Sequence, residues 1–413
     1  MNKEFDLIVF GATGFTGQLV VEYLSRHYGA GSDIRWAMAG RSAARLAEVR
    51  QRTGAPDSVA LIAADAGDPA ALAALVARTK VVITTVGPYQ LYGEALVRAC
   101  AQAGTDYVDL CGEPGWMAHM ITQLEPAARA SGARIVFSCG FDSIPFDLGV
   151  LYLQQQAQQR FGAPLTSVRG RVRRIKGGIS GGTLASAMAT LERIEREPAL
   201  AATMANPFAL TPGFGGPPQP DGETASYDDW AQSWTGPFMM ATINTKNVHR
   251  TNAIMGHPWG KQFRYDEKMM TGDGPKGKRR AANLARMTRL QNAALGFGPV
   301  RALLRRFVLA KPGEGPDQHA RDNGRYDLLF IGETAGGQRL RACVTGDRDP
   351  GYGSTSKMLA ESALCLVGDP DREMASGGVW TAGSAMGATL IGRLERYAGL
   401  RFTIESEVPA QAG

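Results

Sequence analysis

The stretch FDLIVFGATGFTG, from Phe5 to Gly17, decides the fold of the first part of the chain. A short run rich in β-formers leads directly into three glycines, and apolar residues then recur at helical spacing from Leu19 to Leu24. A dinucleotide pyrophosphate site requires this order of strand, tight glycine turn and helix. The glycines let the backbone approach the phosphates, and the free N–H groups of the helix face their negative charge. We therefore predict a cofactor site formed by Gly11, Ala12, Thr13, Gly14, Phe15, Thr16 and Gly17.

The end of the second candidate strand indicates which dinucleotide binds. Residues 34–39 are followed by Gly40, Arg41 and Ser42, and the nearest acidic residue after them is Glu48. A site for NAD usually places an acid here to bind the ribose 2′-hydroxyl. Arg41 instead offers a permanent charge and a planar set of donors that suit a 2′-phosphate, and Ser42 adds a hydroxyl. We predict NADP(H) as the cofactor; the same two residues also suit the beginning and cap of the next helix, and the two roles are compatible.

Short β-rich segments alternate with helical patterns through the first 140 residues. This alternation predicts an α/β fold with a Rossmann-type, doubly wound parallel sheet. The candidate strands are residues 6–10, 34–39, 59–63, 81–85, 107–110 and 134–138. The functional face of such a sheet lies at the carboxyl ends of its strands. We accordingly assign Asp65, Gly87 and Pro88, which follow the third and fourth strands, to the cofactor site.

The character of the chain changes after Gly149. An extended segment at residues 166–176 precedes a glycine-rich segment at 177–183, and two later segments, 326–332 and 339–345, predict a hairpin. Helical patterns at residues 355–366 and 381–398 lead to a last strand at 400–405. We predict a nucleotide-binding domain at 1–148 and a substrate and dimerisation domain at 149–375. A C-terminal helix and strand at 376–413 are expected to pack back on the body of the protein.

Composition excludes several classes of protein. The apolar content of 44% with 20% charged residues is that of an ordinary globular enzyme. Five cysteines without a CxxC pair indicate reduced thiols, so we expect a cytoplasmic protein. No apolar run approaches the length of a membrane span, and the five histidines lack any paired spacing, so we predict no metal site.

The net charge of +6 is concentrated in one segment. Ten basic residues and no acidic ones lie between Gly274 and Pro312, and apolar residues from Val300 to Val308 recur at helical spacing. The basic stretch from Lys276 to Lys311 suits an anionic membrane surface or an acidic acyl-carrier protein, and a solvated helix face explains it equally well. No recognised nucleic-acid-binding module accompanies the charge, so we predict no nucleic-acid partner.

Motifs along nearly the whole chain resemble those of the saccharopine dehydrogenase-like oxidoreductases, and in particular the trans-acting enoyl reductases. The matching stretches are GATGFTG (11–17), AGRS (39–42), TVGPY (85–89), YVDLCGE (107–113), CGFDSIPFDLG (139–149), GGISGGT (177–183), KPGEGP (311–316) and DPGYGSTSKMLAESALCL (349–366). The resemblance implies an NADP-binding Rossmann domain followed by an α+β domain with a mixed or antiparallel sheet. It also implies action on unsaturated acyl chains held by polyketide or fatty-acyl synthesis machinery.

Two candidates for chemistry follow the fourth and fifth strands. Addition of a hydride to a carbonyl-conjugated double bond places negative charge on the carbonyl oxygen, so a positioned donor is needed. Tyr89, next to the Gly87–Pro88 pair, is our candidate catalytic residue; the alternative is that it packs the strand end. Cys111 either lines the substrate pocket or is a buried, inert thiol.

Three further residues are candidate substrate contacts. Asp142, with Ser143 before Pro145, suits a helix N-terminus, and we favour capping over a site-lining role. Ser180, within the glycine-rich segment, either helps to form an anion-binding nest or belongs to a strand-to-helix turn. Tyr352, between two glycines, suits a substrate contact and packing equally.

The sequence thus predicts an NADPH-dependent oxidoreductase that reduces a lipid-like unsaturated acyl substrate. One alternative is an amino-acid oxidoreductase of the saccharopine type, which would need clustered cationic groups for substrate carboxylates. The other is a non-enzymatic NADP-binding protein attached to a lipid surface. The expected localisation is therefore cytoplasmic, with peripheral association with a membrane as a further possibility. A homodimer is compatible with a large sheet after residue 149.

Overall fold

The computed structural model of the 413-residue chain describes residues 3–29, 31–178, 180–298, 315–369 and 371–408. Within these ranges the strands are β1 (Phe5–Phe10), β2 (Trp36–Gly40), β3 (Ala60–Ala63), β4 (Thr79–Thr84), β5 (Asp106–Val108), β6 (Arg134–Val136), β7 (Leu165–Lys176), β8 (Ser226–Asp228), β9 (Ser233–Pro237), β10 (Arg264–Gly272), β11 (Arg325–Thr334), β12 (Arg339–Gly346), β13 (Gly378–Trp380) and β14 (Leu400–Val408).

The helices of the described ranges are α1 (Phe15–His27), α2 (Ala43–Arg52), α3 (Pro69–Ala77), α4 (Tyr89–Tyr92), α5 (Glu94–Ala103), α6 (Pro114–Ser131), α7 (Ile144–Phe161), α8 (Gly181–Arg196), α9 (Ala199–Ala205), α10 (Ala241–Ile254), α11 (Gly274–Leu295), α12 (Gln318–Asp322), α13 (Thr355–Val367) and α14 (Ala382–Arg393). π-Helical turns occupy Pro350–Ser354 and Leu394–Ala398. The helix predicted at residues 300–308 lies outside the described residues.

The first sheet consists of seven described strands in the order β13-β6-β5-β4-β1-β2-β3. All its neighbouring strands are parallel. Read from the β3 edge, the first six strands have the order β3-β2-β1-β4-β5-β6, which is that of a dinucleotide-binding sheet. β13 is added at the edge beyond β6. The predicted α/β class with a doubly wound parallel sheet is therefore confirmed.

The sequence of β1 follows from its position in the middle of this sheet. Every residue of the strand is buried, because helices cover the sheet on both faces. Leu7 and Val9 share a core with Leu24 of α1, whereas Ile8 belongs to the core that contains Leu72 of α3. A strand that is covered on both faces needs a continuous apolar run and not an alternating pattern.

The second sheet has the order β14-β12-β11-β7-β10-β9-β8 among the described strands. β7 and β10 pair in parallel, whereas the other neighbours are antiparallel. β11 and β12 form the hairpin that the sequence predicts. The mixed sheet that the family resemblance implies is confirmed.

Two elements from the last part of the chain, α13 and β13, pack on or pair with the first sheet. α13 packs against α1, β4 and β5, and β13 pairs with β6. Glu361 of α13 is fully buried; it accepts a hydrogen bond from the Tyr23 hydroxyl of α1 at 2.7 Å and pairs with Arg393 of α14 at 2.7 Å. The domain limits at residues 148 and 375 remain a prediction, and these contacts cross them.

Candidate cofactor and active site

The glycine turn after β1 has the geometry of a phosphate-binding turn. Gly11 has a φ of +85°, and its N–H donates to the carbonyl of Ala39 at 2.9 Å. A Cβ at Gly11 would lie 2.7 Å from a methyl of Val86, and a Cβ at Gly17 would overlap the carbonyl oxygen of Gly11. α1 begins after Gly14 with no side-chain cap. The N-terminus of α1 can therefore offer its N–H groups to an anion, as a dinucleotide pyrophosphate requires.

The end of β2 combines a cap with an exposed cation. The Ser42 hydroxyl oxygen accepts a hydrogen bond from the N–H of Arg45 at 3.3 Å, so it caps α2. Arg41 is exposed beside it. A guanidinium at this strand end fits a 2′-phosphate. Asp65 is exposed after β3, and its carboxylate accepts the N–H of Gly67 at 2.8 Å; its assignment to the cofactor remains a prediction.

A buried carboxylate fixes the segment after β4. Glu113 accepts hydrogen bonds from the N–H groups of Tyr89 (2.8 Å) and Gln90 (2.9 Å) and from the hydroxyl of Ser186 on α8 (2.7 Å). It thereby joins the Gly87–Pro88 pair, which directly precedes these N–H groups, to the end of β5 and to α8. Our sequence reasoning gave Glu113 no role, and its one signal was its position after a strand end.

The Tyr89 hydroxyl is not free to donate a hydrogen bond to a substrate carbonyl. Its ring is buried at 3% exposure, with Trp116 at a ring distance of 5.9 Å. Its hydroxyl donates to the carbonyl of Thr84 at 3.1 Å and accepts from the N–H of Leu110 at 3.3 Å. Burial raises the pKa of Tyr89 well above its usual value. The alternative, that Tyr89 packs the strand end, is the one that fits the structure, and the catalytic assignment is corrected.

Cys111 likewise has the environment of a structural residue. It is fully buried, its N–H donates to Asp109 at 2.9 Å, and its carbonyl accepts from the Ser138 hydroxyl at 2.6 Å. Burial raises the pKa of the Cys111 thiol well above its usual value. A neutral, inaccessible thiol is the inert alternative that the sequence left open.

Asp142 does not cap α7. The N-cap of this helix is Ser143, which makes no side-chain cap bond; its hydroxyl donates to the Asp142 carbonyl at 2.6 Å and accepts from the Asn247 amide at 2.6 Å. Within the described chain no hydrogen bond reaches the half-buried Asp142 carboxyl. Burial raises the pKa of this carboxyl to about 6. The favoured capping role is therefore wrong, and the site-lining role of Asp142 stays a prediction.

α10 places buried polar side chains against Ser143 and Glu267. Asn247 binds Ser143, and Asn244 donates to the carboxyl of Glu267 at 2.9 Å. Lys246 is 3% exposed, and burial lowers the pKa of its ammonium group to about 8. Our sequence reasoning missed α10, because polar residues fill the positions at which an amphipathic pattern would be sought.

Ser180 and Tyr352 meet near the glycine turn. The Ser180 hydroxyl oxygen accepts the N–H of Thr183 at 3.0 Å, so Ser180 caps α8. The Tyr352 hydroxyl accepts the N–H of Gly181 at 2.9 Å, and its ring lies edge-on to Phe15 at 4.8 Å. The structure thus brings three predicted site residues, Phe15, Ser180 and Tyr352, together. Ser180 lies in the strand-to-helix turn that the sequence left open, and it also caps α8.

The carboxyl edge of the first sheet therefore carries the glycine turn, the Gly87–Pro88 pair and the Asp142 carboxyl. α8 lies over this edge, since Ser186 binds Glu113 and the Gln90 amide donates to Thr190 at 3.0 Å. Within the described residues no group of three or more His, Cys, Asp or Glu side chains could hold a metal ion. No helix in the described ranges has the length and hydrophobicity needed to span a membrane.

Comparison with known proteins agrees with this geometry. Residues 7–136 match the family described as the saccharopine dehydrogenase NADP binding domain. A Mycobacterium tuberculosis relative is 40% identical over 95% of this chain and 96% of its own length. The trans-acting enoyl reductase of Mycobacterium bovis is 38% identical over 95% and 96%. Saccharopine dehydrogenase (L-Glu forming) from Saccharomyces cerevisiae has a TM-score of 0.57 at 13% identity, covering 97% of this chain and 100% of that one, which shows a shared fold.

Fold, glycine turn and family together define an NADP-dependent oxidoreductase. Because the curated relatives match over nearly their whole length, the narrower assignment also follows. The chain belongs to the saccharopine dehydrogenase-like family of trans-acting enoyl reductases.

Proposed function

We propose that this protein reduces the carbon–carbon double bond of an unsaturated acyl substrate, with NADPH as the reductant and Asp142 as the proton donor. The name of the 38% identical relatives, trans-acting enoyl reductase, supports the reaction class. The observation that carries the proposal is the Asp142 carboxyl, which has no hydrogen-bond partner within the described chain at the carboxyl edge of a dinucleotide-binding sheet.

The chemistry needs one hydride and one proton. When bound, NADPH supplies the hydride to the β-carbon of a carbonyl-conjugated double bond. The π electrons then form an enolate, and Asp142 donates its proton to the α-carbon, so that the saturated product and NADP⁺ result. A donor is most effective when its pKa lies near the working pH, and burial raises the pKa of Asp142 to about 6.

Two arginines of β7, Arg171 and Arg173, argue against the amino-acid alternative. A saccharopine-type substrate needs several cationic groups to hold its carboxylates. Arg171 pairs with Asp228 at 2.5 Å and with Asp266 at 2.9 Å, and Arg173 pairs with Asp327 at 2.8 Å. Carboxylates of the protein itself therefore occupy these side chains, which favours an acyl chain over a polyanionic amino acid.

The test is a comparison of wild type with Asp142→Asn. NADPH oxidation is followed with enoyl thioesters and, in parallel, with saccharopine-pathway substrates. We expect wild type to oxidise NADPH with enoyl thioesters. We expect Asp142→Asn to lower kcat by roughly 10²- to 10⁴-fold, the contribution of a general acid, with NADPH binding unchanged. The matched control is Asp57→Asn, which alters a fully exposed carboxylate and is expected to leave kcat unchanged.

The pH dependence gives a second measurement. Only protonated Asp142 can donate, so the wild-type rate is expected to fall as the pH rises through about 6. Full activity of Asp142→Asn would remove the donor assignment. Turnover with amino-acid substrates alone would refute the reaction class itself.

A further inference from the structure

α11 is held against the second sheet along one face. Gly277, Ala281 and Ala285 are buried, and the side chain of Leu284 lies against Gly236 of β9, where an added Cβ would come within 2.9 Å of it. The amino-terminal half of α11 therefore rests closely on the sheet.

The carboxyl-terminal half of α11 has a second apolar face that no described element covers. Met287 and Leu290 are 58% and 57% exposed, and Phe297, two residues beyond the helix end, is 68% exposed. At 100° per residue, Met287, Leu290 and Ala294 fall within about 60° of one another. Large apolar side chains aligned in this way are unlike the singly scattered ones of an ordinary surface, and they mark a contact surface.

Exposed cations lie along one side of this apolar stripe. Arg279, Arg286 and Arg289 are exposed, as are Lys276, Lys278 and Arg280 nearer the helix start. Residues 274–298 contain no aspartate or glutamate. The surface therefore combines a positive field with apolar side chains that can leave water.

We propose that the carboxyl-terminal half of α11 docks this protein on an anionic lipid surface. Such a surface attracts arginines through its charge and receives methionine, leucine and phenylalanine side chains in its outer apolar layer. The apolar stripe is one helix wide and convex. That shape suits the plane of a bilayer better than a protein partner, whose standard interface buries about 800 Å² on each side. The proposal does not depend on the reaction proposed above.

The experiment measures co-sedimentation of the full chain with two kinds of vesicle. One kind contains phosphatidylglycerol in phosphatidylcholine, and the other contains phosphatidylcholine alone. We expect binding to the anionic vesicles that weakens with added salt, and much weaker binding to the neutral ones. The triple variant Met287→Ser, Leu290→Ser and Phe297→Ser is expected to lower the partition coefficient by at least about tenfold. The double variant Arg286→Gln and Arg289→Gln should reduce binding to anionic vesicles only.

The control variant is Met255→Ser, which alters a side chain of similar exposure, 45%, outside this surface. It should bind vesicles as wild type does, and unchanged NADPH binding shows that each variant is folded. Equal binding of wild type and the triple variant would overturn the proposal. So would the absence of vesicle binding together with capture of an acidic acyl-carrier protein, because the surface would then serve a protein partner.

Discussion

Replacement of Arg41 by alanine tests what the end of β2 contributes to the choice of cofactor. Arg41 is exposed beside Ser42, whose hydroxyl caps α2 and stays in place in the variant. A hydrogen bond to a charged group contributes about 1.5–3 kcal/mol. Its loss corresponds to a roughly 10- to 150-fold weaker Kd for NADPH. NADH lacks the 2′-phosphate, so its Kd should stay nearly unchanged.

The assay is calorimetric titration of wild type and Arg41→Ala with NADPH and with NADH. Arg45→Ala is the matched control, because it removes an exposed guanidinium a turn further into α2 and keeps the backbone N–H that Ser42 binds. Added salt should narrow the difference between wild type and Arg41→Ala, since an exposed ion pair is screened. An equal loss for both nucleotides, or the same loss in Arg45→Ala, would refute the assignment of Arg41 to the 2′-phosphate.

Three further substitutions test other parts of the structure. Arg134→Met leaves the buried carboxylate of Asp369 without its cation and takes from Asp106 one of its two cations, since Arg372 still pairs with Asp106 at 3.0 Å. Denaturant unfolding should show a loss of about 3–5 kcal/mol; a loss below about 1 kcal/mol would mean that the network behaves as a surface pair. Tyr89→Phe should lower stability by about 1–3 kcal/mol and leave turnover unchanged, whereas a fall in kcat of about 100-fold at unchanged stability would restore its catalytic role. Burial raises the pKa of Glu267 to about 8, so the native state keeps a proton that the unfolded chain releases above pH 4.5. Between pH 4.5 and about 8, the free energy of unfolding of wild type, relative to that of Glu267→Gln, should therefore fall by up to about 1.4 kcal/mol per pH unit. The same pH dependence of stability in both proteins would contradict this.

Local signals explain why the first sheet could be predicted from the sequence. The apolar run of β1 and the glycine spacing that follows it are contained within thirteen residues. The buried strand requires the apolar run, and the positive φ of Gly11 in the turn requires a glycine. Strand ends were placed within a few residues: the second candidate strand, residues 34–39, is β2 at Trp36–Gly40. The cofactor turn was predicted for the same reason.

The features that could not be predicted from the sequence depend on contacts between residues far apart in the chain. An Asp-Ser pair before proline is typical of a helix cap, and nothing local shows that Ser143 instead binds Asn247, about a hundred residues later. In the same way, nothing in the sequence near Tyr89 shows that its hydroxyl accepts a hydrogen bond from the N–H of Leu110. β13 has three residues, too few for any periodicity, and its place is set by β6.

The pairing of β13 with β6 also affects how the protein is made. The outer edge of β6 has no strand beside it until the ribosome has added about 240 more residues, which takes tens of seconds at about 5–20 residues per second. During that interval the backbone of β6 is an open template for other nascent chains. A version of this chain that ends before residue 378 keeps that edge permanently open, and aggregation is the expected fate of its nucleotide-binding half.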